Sequence, residues 1–178
     1  MKRVCVFAGS SAGTDAMYRT AAVDLADALA TRGLELVYGG GCVGLMGVLA
    51  DAMLARGGRV IGVIPQTLVE REVGHQGLTE LKIVGSMHER KATMAALSDG
   101  FIALPGGFGT LDETFEVLTW AQLGLQQQPC GLLNVAGYFD GLLKFLEHAQ
   151  GQGFITAAHG RMLCVETDPR RLLERFEA

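Results

Sequence analysis

Residues 104–117, LPGGFGTLDETFEV, combine a glycine turn with a group of acids. Glycines can expose backbone N–H groups to an anion such as phosphate. Glu113 and Glu116 follow about one helical turn apart, so they lie on nearly the same face of a helix. Carboxylates there can contact sugar hydroxyls or stabilise the positive charge that develops when a glycosidic bond breaks. A sugar phosphate suits both features, because it is anionic at one end and becomes cationic at the other.

Thr110 offers a structural alternative for Glu113. The two residues match the capping-box pattern T-x-x-E, in which the carboxylate accepts a hydrogen bond from the amide of the N-cap residue. The pattern predicts that Thr110 is the N-cap of the helix, where the helix dipole favours an acid in the first turn. The spacing alone leaves the catalytic and the structural role of Glu113 open.

A second glycine loop, YGGGCVGLMG, lies between a predicted strand and a predicted helix. Gly39, Gly41 and Gly44 satisfy G-x-G-x-x-G, which is typical of dinucleotide binding. The motif follows the second strand rather than the first, and the next strand ends at Pro65 without an acid for a ribose hydroxyl. These features favour contact with a mononucleotide or sugar phosphate at a helix N-terminus, or a simple turn.

The segment MHERK places Arg90 and Lys91 at the start of a helix, ahead of the strand that leads to the glycine turn. Adjacent helical residues point about 100° apart, so both need not reach one ligand, and a solvated face is the alternative. His88 and Glu89 lack the second histidine of a zinc-binding helix, since position 92 is alanine. No other cluster of metal ligands appears in the sequence, so we expect no metal site, and we also expect no cofactor.

The elements that must position these residues alternate along the whole chain. Short apolar runs such as RVCVF, RVIGVIP and FIALP are separated by stretches with helical spacing. This pattern predicts a doubly wound, Rossmann-like α/β fold, with a mostly parallel sheet and helices on both faces. We expect a single domain over residues 1–178. Ligands bind beyond the carboxyl ends of such strands, where the first loop, AGSSAGT, also lies.

Composition excludes several other classes of protein. The chain has 178 residues, a net charge of −4 and 49% hydrophobic residues. It has no lysine and arginine stripe for nucleic acid and no apolar run long enough to span a membrane. Cys5, Cys42, Cys130 and Cys164 have no paired spacing, so we expect reduced thiols and a cytoplasmic protein.

The motif PGGFGTLDE, with MHERK upstream, resembles the Lonely Guy family of cytokinin riboside 5′-monophosphate phosphoribohydrolases, formerly described as lysine decarboxylases. The resemblance continues through YGGGCVGLMG, VIGVIP, TWAQLG and GLLNVAGYFDGLL. It implies hydrolysis of the N-glycosidic bond of an adenine-type nucleoside 5′-monophosphate, giving free base and ribose 5-phosphate. The substrate would be AMP, an N6-prenylated relative or both. A homodimer is also implied, and the apolar stretch LTWAQLGL suits a buried interface.

By resemblance, Arg90 and Glu113 are the catalytic pair. The residues expected to contact the nucleotide are Glu72, Lys91, Gly106, Gly107, Phe108, Gly109, Thr110, Glu116 and Thr119, with Gly40, Gly41 and Gly44 of the second loop. Thr119 has apolar neighbours on its helix and can equally serve packing. Met87 and Trp120 are candidates for a base pocket, although such side chains also suit a core.

Two other functions remain to be compared. A lysine decarboxylase needs a lysine to hold pyridoxal phosphate as a Schiff base, and Lys91 is the one lysine near the predicted site. A nucleotide sensor would bind its ligand without cleaving it, because fold alone does not fix function. Loss of base release in Glu113→Ala with retained affinity would distinguish an enzyme from a sensor.

Overall fold

A single seven-stranded sheet organises the part of the chain that the computed structural model describes, residues 1–69 and 74–177. The strands are β1 (Arg3–Phe7), β2 (Glu35–Tyr38), β3 (Val60–Pro65), β4 (Glu80–Val84), β5 (Phe101–Ala103), β6 (Cys130–Leu133) and β7 (Leu163–Glu166). All paired strands are parallel, and the order is β4-β3-β2-β1-β5-β6-β7.

Helices connect the strands. They are α1 (Ala16–Thr31), α2 (Gly44–Ala55), α3 (Gln66–Val69), α4 (Met87–Ala96), α5 (Phe108–Gln122), α6 (Asp140–Gly151), α7 (Ala157–Gly160) and α8 (Pro169–Glu177). The single-turn helices α3 and α7 were not predicted, because four residues carry no helical periodicity. Within the described ranges, no helix is both long and apolar enough to cross a bilayer.

The central strand β1 shows how the two faces are filled. Val4 and Val6 pack in a core with side chains of α1, α2 and α8. Cys5 and Phe7, which point to the opposite face of the sheet, pack in a core with side chains of α4 and α5. Buried apolar strands with helices on both faces confirm the predicted doubly wound, Rossmann-like fold.

The chain winds outward from β1 in both directions. The strands β2, β3 and β4 lie on one side, and β5, β6 and β7 lie on the other. The loops after β1 and β5 therefore separate at the carboxyl edge of the sheet, which is where doubly wound proteins bind ligands. A hydrogen bond of 3.1 Å from the Gly9 amide to the Pro105 carbonyl joins the bases of these two loops.

The predicted capping box is wrong. Helix α5 begins at Phe108 with Gly107 as its N-cap, so Thr110 lies inside the first turn. Gly107 has extended backbone angles, φ −92° and ψ −150°. The helix therefore begins earlier in the chain than the T-x-x-E pattern predicts. The Glu113 carboxylate instead faces Arg90 from the neighbouring helix, because a buried guanidinium needs a charged partner.

Candidate active site

Arg90 is buried at the carboxyl edge of the sheet and is held on three sides. Helix α4 begins after Ser86, whose hydroxyl caps it, and this places Arg90 in the first turn. The Arg90 Nε donates to the Val63 carbonyl at 3.0 Å, and Nη2 donates to the Gly39 carbonyl at 3.2 Å. Nη1 donates to Glu113 Oε1 at 3.0 Å. Two strand ends therefore fix the guanidinium against the acid.

The first glycine of the second loop has a direct role in this arrangement. A Cβ atom at Gly39 would lie 2.0 Å from Arg90 Nη2. Real Cβ atoms do not approach other heavy atoms so closely, so a side chain here would displace the guanidinium. The absence of a side chain at Gly39 leaves space for the Arg90 guanidinium rather than for a phosphate. The sequence did not indicate this role.

The other glycines of this loop also contact protein. Gly40 has a φ of 78°, which favours glycine, and Gly41 forms a bridge with Gly74. A Cβ atom at Gly44 would lie 2.3 Å from the carbonyl carbon of Ser10. Gly40 and Gly44 thus have a structural reason to be glycine. Contact of Gly40, Gly41 and Gly44 with the substrate stays a prediction.

Glu113 is nearly as buried as its partner, with 9% of the residue exposed. Burial raises the pKa of Glu113 above its ordinary value, and the positive charge of Arg90 opposes this rise without cancelling it. The neighbouring acids Asp112 and Glu116 raise the pKa further, and Lys91 lowers it. The crevice therefore holds a carboxyl group that titrates closer to neutral pH than an exposed glutamate.

Lys91 links α4 to α5. Its Nζ lies 3.2 Å from Asp112 Oδ2 and 3.1 Å from Glu116 Oε2. Burial lowers the pKa of Lys91, but the hydrogen bonds that its Nζ donates to Glu116 and Asp112 outweigh burial and raise it. Schiff-base chemistry requires a neutral amine, so this environment does not favour Lys91 as a pyridoxal phosphate lysine.

Two adjacent cavities form the crevice beside these residues. The carboxylate cavity, of about 280 Å³, is lined by Arg90, Glu113, the turn at 107–110 and apolar side chains that include Met87. The glycine cavity, of about 270 Å³, is lined by loop 9–13, Gly106 and two tyrosines. Gly9, Ser10 and Gly107 line both. The two cavities can therefore hold different ends of one ligand.

The glycine turn presents its amides at the junction of the two cavities. The first backbone hydrogen bond of α5 runs from the Leu111 amide to the Gly107 carbonyl, at 3.1 Å. The amides of residues 108–110 precede this bond, and such groups at a helix N-terminus bind anions. Phe108 is 94% exposed at the rim. The geometry provides N–H donors for a phosphate close to a buried carboxylate.

Most of the predicted site residues lie together. Arg90, Glu113 and the turn at 106–110 line the crevice, and Lys91 and Glu116 form an ion pair beside it. Thr119 lies elsewhere. It lines a separate apolar cavity of about 290 Å³ between α5, α6 and α7, and its hydroxyl donates to the Phe115 carbonyl.

The remaining candidate residues, and two residues that the sequence did not indicate, are placed as follows. Glu72 lies outside the described residues. Of the two candidates for a base pocket, Met87 lines the carboxylate cavity, whereas Trp120 packs against the core. Sequence reasoning missed Tyr138 and Leu68, which line the crevice from distant parts of the chain. In the described part of the chain, no three His, Cys, Asp or Glu side chains come together as a metal site.

Fold and site together define a Rossmann-like protein with a buried arginine–glutamate pair beside a glycine turn at a helix N-terminus. A family model described as possible lysine decarboxylase matches residues 46–176. The cytokinin riboside 5′-monophosphate phosphoribohydrolase LOG1 of Arabidopsis thaliana is 49% identical over 99% of this chain and 83% of its own length. A probable enzyme of the same name, LOGL9 of Oryza sativa subsp. japonica, is 52% identical over 99% of this chain and 78% of its own. The chain belongs to this Lonely Guy family.

Solved structures with lower identity share the fold. The molybdenum cofactor binding protein of Rippkaea orientalis superposes with a TM-score of 0.74 at 22% identity, covering 99% of this chain and 96% of that chain. DNA processing protein A of Streptococcus pneumoniae superposes with a TM-score of 0.64 at 14% identity, covering 100% and 62%. At such identities the similarity concerns the fold alone.

Proposed function

We propose that this protein is a phosphoribohydrolase that cleaves the N-glycosidic bond of adenine-type nucleoside 5′-monophosphates. The products are the free base and ribose 5-phosphate. The observation that carries this proposal is the ion pair between Arg90 and Glu113 in a crevice that also presents the glycine turn. Membership of the Lonely Guy family supports the same reaction, since its named relatives are phosphoribohydrolases.

The phosphate binds at the glycine turn in this proposal. The amides of residues 107–110 lie at the positive end of the α5 dipole, which attracts an anion. The loop at 9–13 closes the opposite side of the glycine cavity. Phosphate binding there directs the ribose toward the carboxylate cavity, since the two cavities share Gly9, Ser10 and Gly107.

Glu113 acts on the ribose. As the C1′–N bond breaks, its electron pair leaves with the base and positive charge develops on the sugar, which an ionised carboxylate stabilises. A water molecule then forms the new C1′–O bond, and the proton that it loses is balanced by the proton that the departing base nitrogen takes up, so that the products are the neutral base and ribose 5-phosphate. Arg90 favours the ionised form of Glu113 and fixes its orientation through the strand carbonyls.

The base lies against the apolar part of the carboxylate cavity. Met46, Leu68, Met87 and Phe108 line this part, and thioether and aromatic side chains suit a flat purine. Both AMP and an N6-prenylated nucleotide are proposed substrates. Turnover of AMP against isopentenyladenosine monophosphate, measured at equal enzyme concentration, decides which one the cavity prefers.

The experiment that tests this function is Glu113→Gln, which keeps the size of the side chain but removes its charge. We expect release of base and ribose 5-phosphate to fall about a hundredfold or more, while nucleotide affinity is largely retained. Chromatography of the products and calorimetric titration with AMP measure the two effects. Glu174→Gln, on the exposed face of α8, is the matched control.

Two outcomes would contradict the proposal. Wild-type protein that binds either nucleotide without releasing base would be a sensor rather than an enzyme. Full activity in Glu113→Gln would assign the chemistry to another group. Pyridoxal phosphate absorbance in the purified protein would instead favour the decarboxylase.

A homodimer in the cytoplasm is also proposed. Leu123 and Leu125, which follow α5, are 64% and 72% exposed, and Phe145 on α6 is 63% exposed. Large apolar side chains with such exposure favour burial against another subunit. The four cysteines are free thiols, which supports a reducing compartment.

A further inference from the structure

Residues 134–140 form a rigid turn between β6 and α6, at the border of the glycine cavity. The Asn134 side chain accepts a hydrogen bond from the Phe139 amide and donates one to Asp140, both at 2.8 Å. Ala136 has a φ of 51°, a left-handed conformation that is uncommon outside glycine. A turn this strongly bonded fixes the direction of the side chain it carries into the cavity, Tyr138.

The Tyr138 ring is held between two aromatic neighbours. It packs edge-on against Tyr18 at 5.7 Å and against Phe139 at 4.9 Å between ring centroids. The Tyr138 hydroxyl donates a hydrogen bond of 2.6 Å to the Gly106 carbonyl. Tyr138 therefore contacts the backbone of the glycine turn through a fixed ring.

That hydrogen bond controls the direction of one peptide group. In a trans peptide the C=O of one residue and the N–H of the next point in opposite directions. With the Gly106 carbonyl directed at Tyr138, the Gly107 amide points away from it, and no described backbone group accepts a hydrogen bond from this amide. A peptide between two glycines rotates easily unless another group restrains it.

The position of Gly106 is also restricted. A Cβ atom there would lie 2.1 Å from Thr110 Oγ1 and 2.9 Å from the Gly9 amide nitrogen. Position 106 must therefore be glycine, and glycine leaves the peptide that follows it free to turn. The tyrosine supplies the restraint that the glycines lack.

We infer that Tyr138 is a positioning residue that holds the Gly106–Gly107 peptide with its N–H directed at the phosphate of the substrate. This inference rests on the proposed function, because it assigns the phosphate to the glycine turn. Tyr138 acts through the peptide and not on the reacting atoms, so its contribution belongs to binding of the phosphate rather than to bond cleavage.

The test is Tyr138→Phe, which keeps the ring and removes the hydroxyl. Calorimetric titration with ribose 5-phosphate should show affinity about three- to tenfold weaker, the effect expected for one hydrogen bond. KM for AMP should rise by a similar factor with little change in kcat. Inhibition by adenine, which has no phosphate, should be unchanged. Tyr38→Phe is the matched control, since the buried Tyr38 hydroxyl has no hydrogen-bond partner in the described structure.

The outcomes separate this inference from the proposed function. Unchanged affinity for ribose 5-phosphate, equal weakening of ribose 5-phosphate and adenine, or no binding of ribose 5-phosphate by the wild type would overturn the role of Tyr138. Wild-type protein that binds ribose 5-phosphate but releases no base would overturn the proposed reaction, and the titration would still decide the role of Tyr138.

Discussion

Glu113 experiences two opposing influences at the carboxyl edge of the sheet. Burial favours its neutral form, and a hydrogen-bonded guanidinium favours its charged form. Removing one member of a buried ion pair leaves the other uncompensated and costs about 3–5 kcal/mol. Glu113→Gln and Glu113→Ala both leave Arg90 without a charged partner, but Glu113→Ala also leaves a cavity, so Glu113→Gln tests the chemistry more cleanly.

The raised pKa of Glu113 makes stability depend on pH. The folded protein binds the Glu113 proton more tightly than the unfolded chain, so the contribution of this group is present below pH 4.5, its ordinary pKa, and is lost as pH rises through the folded value. Glu113→Gln mimics the protonated form. We therefore expect the free energy of unfolding of this variant, relative to wild type, to increase between pH 4 and pH 7 in urea titrations. A constant difference across this range would contradict the raised pKa.

Gly39 provides a second prediction at the level of single residues. Gly39→Ala places a methyl group against Arg90 Nη2, and the guanidinium must move away from Glu113. Displacement of a catalytic group by about 1 Å can reduce the rate about a hundredfold, so we expect a loss of base release of that size. Steady-state assays measure it, with Gly151→Ala in α6, where a Cβ meets nothing within 4 Å, as the control. Wild-type activity in Gly39→Ala would show that Arg90 tolerates the methyl group.

At the scale of elements, the contact between α4 and α5 holds the candidate active site together. Arg90 and Lys91 come from the first turn of α4, and both pair with acids of α5. Adjacent residues on a helix point in different directions, so Arg90 reaches the interior while Lys91 stays near the surface. The sequence left open whether both basic residues contact the ligand, and the free structure directs Lys91 at Glu116 and Asp112.

Lys91→Met should change the pH dependence of the reaction. Lys91 lowers the pKa of Glu113, so its removal should raise that pKa further. Because the ionised carboxylate is the active form in the proposed reaction, the acid limb of the kcat/KM profile should move to higher pH. Rate profiles between pH 4 and pH 8 measure this, with Lys144→Met on α6 as the control. An acid limb at the wild-type position would contradict an effect of Lys91 on the pKa of Glu113.

For the whole molecule, the strand order decides where the candidate ligand crevice lies. With β1 at the centre, the loops after β1 and β5 separate and leave the crevice between them. The apolar cavity that contains Thr119 lies on another part of the surface, between α5, α6 and α7. A substrate contact for Thr119 remains a prediction that the single chain does not support.

The proposed homodimer gives a prediction at the same scale. Leu125→Asp places a charge at an apolar position that is 72% exposed, and a charge in a subunit interface opposes association. We expect the variant to sediment as a monomer at concentrations where the wild type is a dimer. Ile83→Asp, on the edge strand β4, should leave the oligomeric state unchanged. A wild-type monomer, or a dimeric Leu125→Asp, would contradict the proposed interface.

The sequence by itself determined the features that depend on near neighbours. Alternating apolar strands and helices predicted the doubly wound fold, and the glycine turn before Asp112 and Glu113 predicted an anion site beside an acid. Helical spacing also placed Arg90 at the start of α4. The fold and the helix start are confirmed, because periodicity and helix starts are set by residues within a few positions of one another, whereas the anion site stays a prediction.

The tertiary structure decided the contacts between distant segments. It paired Glu113 with Arg90 rather than with the amide of Thr110, assigned Gly39 to the guanidinium, and brought Tyr138 to the Gly106 carbonyl. Each of these contacts depends on which strands are neighbours in the sheet. Many strand orders fit the same alternation of strands and helices. The sequence pattern therefore predicts the strands and helices but not which strands are neighbours, and only the tertiary structure decides that.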